Sequence, residues 1–316
     1  MGDGQETTLQ SFKPENLFSE NPKRTTFSKI IAAENPNLAV AKTDTLIYNP
    51  AARPQVYIAV CGPIGVGKTI FCRYMAQSEY GIKKLESLLE YIPKDPEEKK
   101  ILLLEENIEE NSFFNLFSKD ETREEFKYPA QMKFLENRIR QQDKARAFKY
   151  CAIEDRMVRE DWVFAKTNLE TSTKTGDEFL KSYKFWAERY SRMELLMHDM
   201  VIFLQVDDLG VLNDNIKKRA RGQEVWLLTP PGQVYLTNLN YQYLDLKFQL
   251  LTEYGEERVL VVNAKTDIEP YIERDGNDPA VGKAKDNPYM NAIIDRAIEK
   301  IIDRRKEEER YYSRRK

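Results

Sequence analysis

The chain has 316 residues, of which 41% are hydrophobic and 32% are charged, and its formal net charge is −3. This composition allows a sizeable core, and it gives no overall signature of a nucleic-acid-binding protein. Three cysteines without C-x-x-C spacing and a single histidine argue against disulfide frameworks and structural zinc, and no apolar run approaches the ~18 residues that span a bilayer.

Residues 1–54 are predicted to form an extended polar arm. They are rich in Asn, Pro, Thr, Lys and Glu and have few periodic apolar positions. The segment shows neither the basic-then-apolar layout of a signal peptide nor the Arg-rich, acid-poor composition of a transit peptide. We therefore expect a protein of the cytoplasm or of the mitochondrial matrix.

The stretch VCGPIGVGKTIF contains a complete G-x-x-x-x-G-K-[ST] pattern. Its glycines Gly62, Gly65 and Gly67 let the loop bend so that backbone N–H groups point at phosphate oxygens. Lys68 supplies a positive charge near the β and γ phosphates, and Thr69 offers a hydroxyl to Mg²⁺. An apolar, strand-like run precedes the pattern and a helix-like run follows it, so the sequence predicts a site for ATP and Mg²⁺.

Five apolar runs are separated by helical patterns, and they predict the fold class. The runs are residues 56–60, 101–106, 150–155, 201–206 and 259–264. We predict an α/β protein with the doubly wound, five-stranded parallel sheet of P-loop NTPases, flanking helices and a helical lid. The predicted domain covers residues 55–270, and residues 271–316 are predicted to form a charged C-terminal loop and helix.

Acidic residues end several of the predicted strands, where ligands bind in parallel sheets. Taken alone, Glu106 is either a base for a hydroxyl group or part of a solvated acidic loop. Asp155 can hold Mg²⁺, and Arg156 can bridge phosphates. His198 has no motif near it, so we interpret it as structural or surface-exposed rather than catalytic.

Two further clusters are ambiguous when read from the residues alone. The helical segment QMKFLENRIRQQ places Gln131 and Arg138 on roughly one face, which suits a nucleobase edge, although a lone helix with these residues is more often ordinary surface. The run IKKRARGQE, with Arg219 and Arg221, is either a basic helix end or a lid over a transferring phosphoryl group.

In this order and at this spacing, the clusters resemble the deoxynucleoside kinase family, especially its deoxyadenosine and deoxyguanosine kinase branch. The resemblance covers residues 56–264. The family's E-P-V motif is similar to Glu106-Asn107-Ile108 here, which implies that Glu106 is the general base for the sugar 5′-hydroxyl. The resemblance also implies that Gln131, Arg138 and Asp161 bind the base.

The family's D/E-R-S motif resembles Asp155-Arg156-Met157, which implies that Asp155 completes the magnesium environment. Its lid, R-G-R-x-x-E, is similar to the segment from Arg219 to Glu224. The resemblance implies that Arg156 and the lid arginines, Arg219 and Arg221, balance charge in the transition state, and that Glu224 holds the sugar 3′-hydroxyl.

The sequence departs from the family at Asn107, Ser118, Met157 and Ala220, and these departures bear on the sugar site. An accessory subunit of mitochondrial respiratory complex I belongs to the same superfamily, so two functions stay open. The first is an ATP-dependent deoxynucleoside kinase, which acts on a deoxynucleoside and for which a homodimer is one expected assembly. The second is a nucleotide-binding, non-catalytic subunit that contacts a large assembly through its arm and tail. A nucleoside monophosphate kinase would need a further arginine site, which the sequence does not place.

Overall fold

The computed structural model describes residues 53–93, 95, 98–106, 111, 127–170, 196–219, 222–264 and 287–314. Most of the predicted arm, residues 1–54, therefore lies outside the described residues. The same holds for Arg221, predicted in the lid, and for the family departures at Asn107, Ser118 and Ala220.

A five-stranded parallel sheet forms the centre of the described chain. Its strands lie in the order β2-β3-β1-β4-β5, and every neighbouring pair is parallel. They are β1 (Val56–Cys61), β2 (Ile101–Leu104), β3 (Cys151–Asp155), β4 (Met200–Gln205) and β5 (Val259–Asn263). Because β1 is central and covered on both faces, all six of its residues are buried, which explains its lack of polar alternation.

Seven α-helices and one short 3₁₀ helix connect or flank the described strands. The α-helices are α1 (Lys68–Gln77), α2 (Glu79–Glu86), α3 (Lys127–Ala147), α4 (Val158–Glu170), α5 (Leu209–Arg219), α6 (Pro230–Tyr254) and α7 (Pro288–Ser313), and the 3₁₀ helix is Gly222–Leu228. Three of the starts are capped by side chains: Ser78 accepts a hydrogen bond from Gly81 N ahead of α2, Thr229 accepts from Gly232 N ahead of α6, and Asn287 accepts from Met290 N ahead of α7.

Helices cover both faces of the sheet. On one face, Phe71 of α1 and Ile294 of α7 pack in the same buried apolar cluster as the strands. On the other face, Leu239 and Leu246 of α6 pack with Phe203 of β4. This arrangement confirms the predicted doubly wound P-loop fold, and it shows that the last helix shares the core of the sheet. No helix in the described part of the chain is long and apolar enough to cross a membrane.

Candidate active site

The loop after β1 is shaped by its glycines. Gly62, Gly65 and Gly67 all have positive φ, at 146°, 85° and 99°. A side chain on Gly62 would place its Cβ 2.3 Å from the carbonyl oxygen of Leu204, so the loop lies directly against β4. Only glycine combines this backbone conformation with so close an approach. The loop therefore has the tight bend that the phosphate-binding motif requires.

Lys68 is buried beneath this loop. Its Nζ donates hydrogen bonds to the carbonyl oxygens of Gly62 (2.6 Å) and Pro63 (3.1 Å). Burial, helped by the nearby charge of Arg156, lowers the pKa of Lys68 from 10.5 to about 8. The ammonium group still carries its charge at neutral pH, and it lies where the motif predicts a partner for phosphate oxygens.

Thr69 and Asp155 meet where β1 and β3 end side by side. The Thr69 hydroxyl donates to Asp155 Oδ2 over 2.6 Å. Burial raises the pKa of Asp155, although the charge of Lys68 and the hydrogen bond from Thr69 oppose the shift. No group of three or more His, Cys, Asp or Glu side chains suited to a metal occurs among the described residues. Magnesium in kinases needs no such group, because one or two protein oxygens and the substrate phosphates hold it; Thr69 and Asp155 fit that requirement.

Glu106 follows the end of β2 and is held between two arginines. Its Oε1 accepts from Arg138 Nη2 (2.5 Å) and its Oε2 from Arg156 Nε (3.0 Å). Burial alone would raise the pKa of Glu106, but the charges of Arg156, Arg138 and Lys68 outweigh burial and lower the pKa. The carboxylate is therefore ionised, and its side chain keeps 15% exposure.

The predicted base-binding residues lie together beside Glu106. Arg138 is 2% exposed and also donates from Nη1 to the backbone oxygen of Asp155 (3.1 Å) and to Gln141 Oε1 (2.9 Å). Its Nε lies 3.9 Å from Asp161 Oδ2, and neither of these two atoms makes a hydrogen bond. Burial raises the pKa of Asp161 to about 7. The Gln131 amide donates to the backbone oxygen of Asp161 (3.0 Å), so the face of α3 that carries these residues is buried.

The lid residues that the structure describes are Arg219 and Glu224. Arg219 ends α5, and its Nη2 lies 2.8 Å from Glu224 Oε2 in the 3₁₀ helix. The helix that carries Arg219 is attached to the phosphate loop, because Asn215 Nδ2 donates to the carbonyl oxygen of Gly65 (2.9 Å). Sequence reasoning did not single out Asn215, which follows no motif.

Comparison with known proteins decides the family. The family model described as deoxynucleoside kinase matches residues 58–276. The chain belongs to the deoxynucleoside kinase family. The match confirms the resemblance that the motifs predicted. No curated protein matches the chain.

Three solved structures are similar to this member of the deoxynucleoside kinase family, and all are of the M. mycoides deoxyadenosine kinase. Each of the three matches covers 68% of this chain and 94% of the chain of the M. mycoides kinase. The structure with the products dCMP and a flexible dCDP is 26% identical with a TM-score of 0.53, and the one with bound dCTP is 25% identical with a TM-score of 0.50. The structure with bound dATP, at 24% identity and a TM-score of 0.52, supports the fold alone.

Two residues that sequence reasoning missed contact the phosphate loop and Arg156 in this deoxynucleoside kinase family member. Glu160 is fully buried and accepts hydrogen bonds from Gly62 N (3.1 Å), Met157 N (2.8 Å) and the Tyr243 hydroxyl (2.8 Å). The same hydroxyl accepts from Arg156 Nη1 (3.0 Å). A capping-box spacing, with a glutamate three residues after the helix N-cap position, could have drawn attention to Glu160. Tyr243 gives no such signal, because it occurs among the apolar residues of a buried helix face.

Several acidic residues at strand ends make contacts away from the phosphate loop. Glu105 pairs with Arg73. Asp207 accepts from a neighbouring asparagine, and Asp208 accepts from the backbone at the start of α5. Glu154 points to the opposite face of β3 from Asp155, as alternation along a strand requires, and it contacts Tyr57 and His198. Two of the acidic residues at the ends of the predicted strands have described contacts at the candidate site. Asp155 contacts Thr69 of the phosphate loop motif, and Glu106 contacts Arg138 and Arg156.

Proposed function

We propose that the protein transfers the γ-phosphoryl group of ATP to the 5′-hydroxyl of a deoxynucleoside. The observation that carries this proposal is the setting of Glu106. An ionised carboxylate lies at the carboxyl edge of the sheet, oriented by Arg138 and Arg156 and close to Lys68 of the phosphate loop. A base for the acceptor hydroxyl is needed at this edge if the loop holds the donor.

On the donor side, the residues of the loop would bind the triphosphate. Lys68 would exchange its carbonyl partners for phosphate oxygens, and the amides of the loop would donate to them. Thr69 and Asp155 would hold Mg²⁺, which when bound neutralises charge that develops on the β and γ phosphates.

On the acceptor side, Glu106 would orient the 5′-hydroxyl and take its proton. The hydroxyl oxygen forms the new bond to phosphorus, the bond from phosphorus to the β-phosphate oxygen breaks, and ADP leaves. A carboxylate has about four lone-pair sites, so Glu106 can accept this hydrogen bond while it keeps both arginines. Its lowered pKa makes it a weak base, which suits a loose transition state in which the proton leaves late.

Charge balance and substrate recognition would come from the arginines and from Asp161. Arg156, with Arg219 and Arg221 of the lid, would balance the charge of the transferring group. Arg138 Nε and Asp161 Oδ2, both without a hydrogen bond, present one donor and one acceptor to a base edge, and unmet hydrogen bonds of buried groups favour a ligand that supplies them.

The remaining contacts to the deoxynucleoside follow from the family resemblance. Gln131, whose amide lies against Asp161, would hold the base beside that pair. Glu224 would hold the sugar 3′-hydroxyl, and its ion pair with Arg219 would connect it to the other end of the predicted lid segment.

A phosphorylation assay of the full chain tests the proposal. With ATP, Mg²⁺ and each of the deoxynucleosides in turn, we expect turnover of at least one substrate. Glu106→Gln should lower kcat by about 100-fold or more, because a general base typically contributes 10²–10⁴-fold, while ATP affinity stays unchanged. Glu105→Gln is the matched control, since the neighbouring carboxylate pairs with Arg73 and should leave kcat within about twofold.

Two results would contradict parts of this proposal. An equal loss of kcat in both variants would contradict the role of Glu106 as the base. ATP binding without turnover of any deoxynucleoside would contradict the kinase, and with co-purification in a large complex it would favour the accessory-subunit function.

A further inference from the structure

A chain of buried hydrogen bonds connects the phosphate loop to Arg156 through Glu160 and Tyr243. Glu160 Oε1 accepts from Gly62 N (3.1 Å) and from the Tyr243 hydroxyl (2.8 Å). Tyr243 in turn accepts from Arg156 Nη1 (3.0 Å). The two residues lie on different helices, α4 and α6, so the contacts tie both helices to the loop.

The position of Glu160 follows from how α4 begins. Val158 is the first residue of the helix, so Met157 is at the N-cap position and has no oxygen with which to cap the helix. Glu160, three residues on, accepts from Met157 N (2.8 Å) through Oε2, which is the half of a capping box that a glutamate supplies. The second oxygen is thereby directed at Gly62 and Tyr243.

The direction of the hydrogen bonds is fixed by chemistry. Burial raises the pKa of the Tyr243 hydroxyl well above 10.0, so it stays protonated and has one proton to donate. It donates that proton to the carboxylate and accepts from the guanidinium of Arg156, which has no acceptor. Arg156 itself has φ of 80°, a backbone conformation that residues with a side chain rarely adopt, so its setting depends on fixed contacts.

We propose that Glu160 and Tyr243 are a positioning pair, which holds the first amide of the phosphate loop and the guanidinium of Arg156 in one arrangement. Glu160 positions the loop, and Tyr243 couples that position to Arg156. The kinetic part of this inference rests on the proposed kinase function, in which Arg156 acts in the transition state. The structural part, the order of the loop, does not.

Tyr243→Phe tests the coupling, because it removes one oxygen and keeps the ring. We expect kcat to fall by about tenfold while KM for ATP and for the deoxynucleoside stays within about twofold, since a contact that acts in the transition state affects kcat rather than uniform binding. Tyr254→Phe is the matched control: the residue is buried on the same helix, about 16 Å further along at 1.5 Å per residue. It should leave kcat within about twofold.

Glu160→Met tests the loop without any need for turnover. The thioether sulfur is only a weak acceptor, so the backbone N–H groups of both Gly62 and Met157 lose their carboxylate partner. We expect hydrogen exchange at Gly62 N to be faster by about tenfold or more than in the wild type, and Tyr243→Phe to give a smaller change in the same direction. Tyr254→Phe should leave this exchange unchanged.

The outcomes separate this inference from the proposed function. If Gly62 exchanges equally in the wild type and in both variants, or if Tyr243→Phe and Tyr254→Phe lower kcat equally, the positioning pair is wrong. If the wild type phosphorylates no deoxynucleoside, the kinase proposal fails, and the exchange rate of Gly62 still decides whether Glu160 and Tyr243 order the loop.

Discussion

Glu154 and Asp155 are neighbours in β3, and both are buried acids, yet their side chains lie in very different surroundings. Asp155 faces the phosphate loop and accepts from Thr69. Glu154 faces the other side of the sheet, where Oε2 accepts from the Tyr57 hydroxyl (2.7 Å) and lies 2.8 Å from His198 Nε2. Burial of an acid therefore does not by itself mark a catalytic site; the groups around the acid do.

The two regions differ in what compensates the buried carboxylates. Around Glu106, the compensating groups are the full charges of Arg138 and Arg156. Around Glu154, the contacts are a hydroxyl and an imidazole, and the rings of Tyr57 and His198 stack at 4.2 Å. Removal of one partner should therefore cost much more around Glu106 than around Glu154.

The largest effect is expected from Arg138→Met. Loss of this guanidinium leaves Glu106, which is 15% exposed, with one arginine, and it leaves the buried Asp161 without its ion pair. We expect the free energy of unfolding, measured by urea denaturation, to fall by about 3–5 kcal/mol. Arg140→Met on the same helix is the control: its side chain is exposed, and the change should stay within about 0.5 kcal/mol. Equal effects of the two variants would contradict the contrast between the regions.

A smaller effect, dependent on pH, is expected from Asp161→Asn. The pKa of Asp161 is raised from 3.8 to about 7 in the folded protein, so the folded state binds more protons than the unfolded state between these values. Stability from this group is therefore present at low pH and is lost as pH rises towards 7. Asparagine does not titrate, so the variant lacks this loss of stability. The free energy of unfolding of the variant minus that of the wild type should therefore rise by on the order of 2 kcal/mol between about pH 5 and pH 8.

The measurement for Asp161 is urea denaturation of both proteins across this pH range. If the free energy of unfolding of the variant, relative to that of the wild type, instead falls as pH rises, Arg138 holds Asp161 ionised in the folded protein. In that case the pKa of Asp161 would be lowered and not raised.

The fold could be predicted from the sequence because its signals are local. The apolar runs predicted both ends of β1 and of β5 to within one residue, and the glycine pattern predicted the position of the phosphate loop. The predicted strand over residues 101–106 ends at Leu104, two residues early. Glu105 and Glu106 follow the end of the ladder, and their carboxylates pair with Arg73 and Arg138, each 32 positions away along the chain.

The site could be predicted only in part, for the same reason. Motifs led to Glu106, Arg138 and Asp155, and the structure brings them together, although their roles stay predictions. The contacts that hold these residues join distant segments: Arg156 and Tyr243 are 87 positions apart, and Gly62 and Glu160 are 98 apart. No spacing rule predicts such a pair, since it exists only once the strands are in order. His198 is buried against Glu154, in line with the structural interpretation of the only histidine.

Tyr57→Phe gives the smallest expected effect and the sharpest test of the contrast. The change removes the hydroxyl that donates to Glu154 and keeps the ring that stacks on His198. Glu154 Oε2 retains its contact with His198, so we expect the free energy of unfolding to fall by about 1 kcal/mol, the net value of one buried hydrogen bond. The side chains of Tyr57 and Glu154 hydrogen-bond to each other and Glu154 contacts His198, and none of these contacts is to Glu106 or the phosphate loop, so kcat and the affinity for ATP should both stay within about twofold. A tenfold loss of kcat without loss of stability would show that this network acts on the phosphate site, through β3 or through the charge of Arg138, and the two regions could no longer be treated as separate.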